Sequence, residues 1–170
     1  MMILIAIHDI MVQLSNAINH LSDEEYCKPS YILSGASTGE HTRHIIEFFQ
    51  ELDRGYGSGI VNYDLRKRDI AIENSRETAR QLIQLHTAKC QKQDKALAVE
   101  MITTGNSQPF FLSSSYYREL RCLLEHSIHH MAFIRIAIME VSSANLPEEF
   151  GFALSSILHK KYKSLLPDNN

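Results

Sequence analysis

An apolar stretch from about Ser114 to Val141 runs without a glycine or a proline. Its apolar residues recur at intervals of three and four, which is the period of an α-helix, and they fall on most sides of that helix. A helix of this kind has to be covered by several neighbours. The stretch therefore predicts a long helix at the centre of the fold.

Three further segments have helical spacing and can supply those neighbours: about Met2–Leu21, about Thr38–Arg54 and about Asp64–Gln93. The second begins with a capping box, in which the Ser37 and Glu40 side chains each accept a hydrogen bond from the other residue's backbone N–H. Four main helices joined by connections of moderate length predict an all-α fold, a four-helix bundle.

The segment before the last long helix has a different pattern. Residues 97–102 and 110–111 flank the turn residues Gly105-Asn106-Ser107, which predicts a short β-hairpin. The length of 170 residues suits a single domain over residues 1–170. Within it, residues 147–170 are predicted to form a C-terminal surface tail with one short helix at about Ser156–Leu165.

Charge and cysteine content narrow the class of protein. The 17 Lys and Arg against 20 Asp and Glu give a formal net charge of −3, which argues against binding to nucleic acid or to an anionic membrane surface. Three widely spaced cysteines without a CxxC pair are typical of free thiols in a reducing compartment. The apolar N-terminus, Met1–Ile10, lacks the features of a signal peptide and is too short to span a bilayer. We therefore expect a cytoplasmic protein.

Histidine is unusually frequent, with nine residues, and five of them lie in two short windows. His126 and His130 are four apart in the last helix, so their rings lie on one face, one turn apart. His41 and His44 are three apart in the second helix, and packing of the helices could bring one of these two opposite the pair. Three imidazoles with an open position form the site of catalytic zinc, although nickel, iron or manganese also bind imidazole.

Charged residues near these windows are further candidates. Glu47 and Glu119 could orient an imidazole or act as a general acid or base on metal-bound water, or they could form ordinary ion pairs. Arg66 and Arg68, at the start of the third predicted helix, could hold an anionic group of a substrate or cofactor. The alternative for both arginines is a solvated basic turn that pairs with neighbouring acidic residues.

The order and spacing of several segments resemble the DinB-like (YfiT-like) superfamily of metal-dependent enzymes. The matching segments are Ser37–Phe49, Tyr63–Asp69 followed by Ile72-Glu73, Glu125–His130 and Leu146–Ala153. The third of them is similar to the closing motif of that family, which is a histidine, two spacers and a histidine pair. The resemblance implies an up-down-down-up four-helix bundle that often forms a homodimer.

The resemblance also implies a metal site. In the family, zinc or nickel lies between one histidine of the second helix and the first and last histidines of the closing motif. Carried over to this chain, the ligands are His44, His126 and His130, with His41 as the alternative to His44. His129 matches the neighbouring histidine, which is usually not a ligand.

The activity that the resemblance implies is less uniform than the site. Some members are thiol S-transferases that use a low-molecular-weight thiol, and others are described as hydrolases. The chain is therefore expected to be a metal-dependent transferase or hydrolase that acts on a small molecule. The alternative is a metal-binding or interaction protein without catalytic activity, built on the same fold.

Overall fold

A computed structural model describes residues 2–102 and 108–165 of the chain. Over those residues it contains seven helices and three strands. The helices are α1 (Met2–Asn19), α2 (Asp23–Cys27), α3 (Thr38–Ser58), α4 (Ile70–Asn74), α5 (Arg76–Lys89), α6 (Tyr116–Val141) and α7 (Leu154–Leu165). The strands are β1 (Ile60–Val61), β2 (Ala96–Met101) and β3 (Phe110–Ser115).

The three strands form one mixed sheet in the order β1-β2-β3, so the prediction of an all-α four-helix bundle, up-down-down-up, is wrong. β1 pairs parallel with β2, and β2 pairs antiparallel with β3 from Ala96 opposite Ser115 to Met101 opposite Phe110. Gly59 ends α3 at a φ of 85° and turns the chain into β1. The parallel partner of β1 is distant in the chain, and a periodic pattern carries no information on such pairing.

The antiparallel pair β2–β3 lies where the sequence predicts a hairpin, and the proposed turn residues 105–107 lie outside the described residues. The third predicted helix, Asp64–Gln93, is wrong in extent because two caps divide the segment. Asp69 caps α4 by accepting from the Ala71 N–H, and Ser75 is extended and caps α5 by accepting from the Thr78 N–H. These side chains compete with a continuous helix and set new starting points.

The long helix α6 lies at the centre, as its apolar pattern predicts, and packs against α1 and α3. Its buried residues meet those of the other two helices in one core, which includes Leu120, Leu123, Met131, Ile134 and Ile138 from α6, Ile45, Ile46, Phe49 and Leu52 from α3, and Ile7, Met11, Leu14 and Ile18 from α1. The capping box at the start of α3 is confirmed, with both of its hydrogen bonds formed by Ser37 and Glu40. The paired helices α3 and α6 carry both histidine windows.

The two ends of the chain bear on other predictions. The apolar stretch Met1–Ile10 is by itself too short to span a bilayer, but α1 continues to Asn19. By length and composition the whole helix could cross a membrane. A core helix or a signal sequence would meet the same criteria, and 33% of α1 is buried inside the protein. α7 lies in the predicted C-terminal tail and exposes Leu154, Leu158 and Tyr162. Localisation, the absence of membrane contact and the single domain stay predictions.

Gly39, in the first turn of α3, lies directly against the backbone of Glu73 in α4. A Cβ atom added to it would overlap the carbonyl oxygen of Glu73 and would lie 3.0 Å from the carbonyl carbon of the same residue. These are backbone atoms, and they cannot move aside to make room for a Cβ atom as the end of a flexible side chain can. The position therefore requires glycine although it lies within a helix, where alanine is normally preferred.

We expect Gly39→Ala to destabilise the protein by about 1–3 kcal/mol, because the added methyl group forces α3 and α4 apart. Gly57→Ala is the matched control, since Gly57 lies in the same helix and a Cβ there would meet nothing within 4 Å. The control should be neutral or more stable by up to about 1 kcal/mol from helix propensity. Urea unfolding of both variants measures the difference, and equal stabilities would contradict the close approach.

Glu140, near the end of α6, anchors the loop that leads into α3. Its Oε1 accepts from the Tyr31 N–H at 2.8 Å, and its Oε2 accepts from the Ser30 hydroxyl at 2.5 Å and the Ile32 N–H at 3.3 Å. The hydrogen bond from Ser30, followed by that from Tyr31, lowers the pKa of Glu140 from its ordinary value of 4.5. The charged carboxylate is therefore the form that holds the loop.

This anchor should make stability depend on pH in a way that Glu140→Gln removes. A lowered pKa in the folded state means that the contribution is complete above the ordinary value and is lost as the pH falls through the lowered one. The wild type should exceed Glu140→Gln in stability at pH 7, and the difference should shrink towards pH 3. Urea unfolding at both pH values tests this, and a difference independent of pH would assign the effect to side-chain packing instead.

Candidate metal centre

Histidines from α3 and α6 converge where the two helices pack. His44, His126 and His130 each offer a ring nitrogen, and these three atoms all lie within 4.8 Å of one another. The Nε2 atoms of His44 and His126 are 2.8 Å apart. The ring centroid of His130 is 4.2 Å from that of His44 and 4.6 Å from that of His126. All three side chains are half-buried.

The local sequence explains this placement. On α3, His44 precedes the buried pair Ile45-Ile46, and on α6, His130 precedes the buried Met131. The buried neighbours fix the rotation of each helix, so the histidines fall at the edge of the α3–α6 core. The spacing of four then places His126 and His130 on the same face, as the sequence predicts.

His41, the alternative to His44, lies beside this group and contacts only the ring of His130 among its three members. Its Nδ1 is 3.0 Å from Nδ1 of His130, and its ring stacks on Phe133 with centroids 5.2 Å apart. Its Nε2 is buried and has no hydrogen-bond partner among the described residues. His129 is exposed and meets Phe133 edge-on. His41 therefore contacts the ring of His130, whereas His44 contributes to the group of three.

The environment keeps these imidazoles neutral. Burial, followed by the charge of Arg66, lowers the pKa of His44 to about 3, and burial, followed by His44 itself, lowers the pKa of His130 to about 3. The pKa values of His126 and His41 are also lowered, in both cases chiefly by burial. Neutral imidazole is the form that ligates metal ions.

An aromatic stack supports the ring of His126. Phe48, one turn beyond His44 on α3, stacks on His126 with centroids 4.4 Å apart and on Tyr63 with centroids 5.0 Å apart. The Tyr63 hydroxyl donates to Oε2 of Glu119 at 2.9 Å, and the Ser114 hydroxyl donates to Oε1 at 2.5 Å. Burial, followed by Glu119, raises the pKa of Tyr63. The candidate Glu119 thus lies behind the stack and holds Tyr63.

The candidate Glu47 lies on the other side of the site and is 1% exposed. Its Oε1 accepts from the Asp69 N–H at 2.8 Å and forms an ion pair with Nε of Arg43 at 3.6 Å. Its Oε2 forms an ion pair with Nε of Arg66 at 3.5 Å. Among the hydrogen bonds of the described residues, neither Glu47 nor Glu119 bonds to a histidine.

The two candidate arginines differ in position. Arg66 is mostly buried, and its Cζ lies 5.4 Å from the ring centroid of Phe48, beside the histidines. Arg68 is exposed. Arg43, which the sequence does not single out, pairs with both Glu47 and Glu73 and ties α3 to α4. The i, i+4 spacing on α3 could have indicated the pair Arg43–Glu47. Helical periodicity could not have indicated the pair Arg66–Glu47, because residues 62–69 lie outside any helix.

Comparison with known proteins gives little guidance to function. No family model matches the chain. No solved structure matches it. The chain is 30% identical over 109 residues to a protein named FK506-binding protein 5 from the fungus Rhizopus delemar. The match covers 60% of this chain and 28% of the relative, so the chain spans little more than a quarter of that protein.

The donor set itself fits a divalent transition metal. Three neutral imidazoles are ligands that zinc and nickel accept readily, and three protein ligands leave a position for an exogenous molecule. His44, His126 and His130 would hold such an ion.

Two single variants distinguish His44 from His41 as the ligand on α3. His44→Ala removes a member of the group of three and should abolish stoichiometric binding of zinc or nickel. His41→Ala removes a neighbour of His130, and it should keep full stoichiometry with affinity reduced by at most about 10–100-fold. Metal content and competition with a chromophoric chelator measure both. Metal retained by His44→Ala and lost by His41→Ala would assign the ligand to His41.

Proposed function

We propose that this chain binds a divalent metal ion, zinc or nickel, through His44, His126 and His130 and acts as a metal-dependent enzyme on a small molecule. The observation that carries the proposal is the convergence of three ring nitrogens within 4.8 Å from two helices that are distant in the chain. The resemblance of the histidine windows to the DinB-like superfamily supports the same three residues. Membership of that family is part of the proposal.

The bound ion would supply Lewis acidity, which deprotonates a coordinated thiol or lowers the pKa of coordinated water. The residues of the chain then have three tasks. The three histidines stay neutral and keep their lone pairs for the ion. Phe48 and Tyr63 fix the plane of the His126 ring from behind. Glu47 holds the charged head of Arg66 beside the site.

Between the two reactions that the resemblance implies, we favour transfer to or from a low-molecular-weight thiol over hydrolysis. Enzymes that activate metal-bound water commonly place a carboxylate next to it as a general base. Here Glu47 is bonded to the Asp69 backbone and paired with two arginines, and Glu119 accepts from two hydroxyl groups. Coordination to an ion would itself lower the pKa of a thiol, so that its proton would pass to solvent without a neighbouring carboxylate.

One observation favours a second function, a non-catalytic interaction protein. The contacts His44–His126 and His41–His130 have hydrogen-bond distances of 2.8 Å and 3.0 Å. Neutral histidines could therefore satisfy one another and join α3 to α6 without an ion. The relative from Rhizopus delemar is named for binding FK506. Binding of that ligand is not a third candidate function here, because the chain spans only 28% of that protein.

Metal content separates the two functions. The protein purified from a metal-supplemented culture should contain about one zinc or nickel per chain, and His126→Ala and His130→Ala should lose it. His129→Ala, an exposed histidine on the same helix, is the matched control and should keep it. Metal absent from the wild type, or retained by both ligand variants, would refute the enzyme and favour the interaction protein.

A second assay identifies the reaction of the metal-loaded protein. We expect it to conjugate small thiols with electrophilic substrates and to hydrolyse esters and amides weakly or not at all, with the thiol activity lost in His126→Ala. Hydrolysis without thiol transfer would contradict our preference and identify the protein as a hydrolase. The predictions of a small-molecule substrate, a homodimer and no nucleic-acid binding belong to the same proposal.

A further inference from the structure

A guanidinium group lies against the candidate site, and its position depends on residues outside the histidine cluster. The Arg66 side chain is 17% exposed, and its Cζ is 5.4 Å from the ring centroid of Phe48. That ring in turn lies 4.7 Å from His44 and 4.4 Å from His126, between ring centroids. Arg66 is thus separated from the histidine rings by the ring of Phe48 alone.

The guanidinium is held along one edge and open along another. Its Nε forms an ion pair with Oε2 of Glu47 at 3.5 Å, although neither atom has a hydrogen-bond partner among the described residues, and its Nη1 donates to the Tyr63 carbonyl at 3.3 Å. Glu47 is itself fixed by the Asp69 N–H at 2.8 Å. Nη2 has no hydrogen bond among the described residues, and it is not one of their buried unpartnered atoms. A fixed guanidinium with a free donor edge is suited to bind a planar anion.

The charges around the site leave an anion to be supplied from outside. Arg43 and Arg66 are balanced by Glu47 and Glu73, and among the described residues no carboxylate forms an ion pair with His44, His126 or His130. A divalent ion held by neutral imidazoles would keep its full charge in a half-buried place, and Glu47 and Glu119 are already bonded elsewhere. Charge in such surroundings needs a partner of opposite sign.

We propose that Arg66 binds a carboxylate of the substrate next to the three histidines, so that the substrate is a small organic acid. This inference rests on the proposed metal function, because the histidines supply the second point of attachment. It goes beyond that function by assigning the chemical class of the substrate and a specificity residue. The alternative is that Arg66 only packs on Phe48 and neutralises Glu47.

Cobalt-loaded protein allows a direct test without knowledge of the reaction, since the visible absorption of cobalt reports ligand binding. Acetate serves as the carboxylate probe and imidazole as a neutral probe of the same position. The variants are Arg66→Gln, Arg66→Lys and the control Lys67→Gln, which removes a positive charge from an exposed neighbouring residue. Cobalt stoichiometry in each variant shows that the three histidines are intact.

We expect Arg66→Gln to weaken acetate binding by about 10-fold or more and to leave imidazole binding within about two-fold. Arg66→Lys should be intermediate, because it keeps the charge and loses the planar donor edge. Lys67→Gln should bind both probes as the wild type does.

Two results would overturn the inference, and they differ in cause. If cobalt binds and Arg66→Gln and Lys67→Gln hold acetate equally well, Arg66 is not an anion site, whereas the metal function survives. If the wild type binds no cobalt, the metal function fails and the substrate assignment fails with it. Loss of imidazole binding together with acetate binding in Arg66→Gln would assign a purely structural role to Arg66.

Discussion

The packing of α3 against α6 is the contact on which the other features of this molecule depend. Ile45, Ile46 and Phe49 of α3 meet Leu120, Met131 and Ile134 of α6 in the core, and both histidine windows border this contact. Since the apolar side chains determine how each helix is rotated, the core decides which histidines face each other. Gly39 and Glu140 act on the same arrangement from the ends, because one lets α3 approach α4 and the other anchors the loop that leads into α3.

The features that depend on a single helix could be predicted from the sequence. The helical period, the capping box at Ser37 and the spacing of His126 and His130 are local, and each is present in the structure. The mixed sheet was not predictable, because β1 finds its parallel partner across α4 and α5. The same limit applies to the site, since the contacts of Glu47 with Asp69 and of Tyr63 with Glu119 join segments that no periodic pattern connects. The position of His44, rather than His41, beside both His126 and His130 likewise depends on how the two helices pack together.

Glu47 and Glu119, the two carboxylates near the histidines, are both buried and both hold other side chains in place. Their closeness to the histidines in sequence does not indicate this role. Both were natural candidates for acid–base chemistry, yet both are buried. Glu119 accepts a hydrogen bond on each oxygen, whereas Glu47 accepts one on Oε1 and forms an ion pair on Oε2. A carboxylate in that state positions other groups: Glu47 orients Arg66, and Glu119 orients Tyr63 and through it the stack on His126. The protein thereby surrounds three neutral imidazoles with aromatic rings and one guanidinium. Such surroundings disfavour an additional proton on the imidazoles.

The closeness of two imidazole nitrogens finally limits what can occupy the cluster. Nε2 of His44 and Nε2 of His126 are 2.8 Å apart, and two lone pairs cannot face each other at that distance without something positive between them. A proton on one ring meets this need and makes the pair an ordinary hydrogen bond, which links α3 to α6. A metal ion would meet it as well, and His130, whose ring lies 4.2 Å from that of His44, would be its third ligand. The third ring has a partner of its own without an ion, because Nδ1 of His130 is 3.0 Å from Nδ1 of His41. The cluster therefore suits two states, two hydrogen-bonded histidine pairs or one ion held by three rings, and the metal content of the protein distinguishes them.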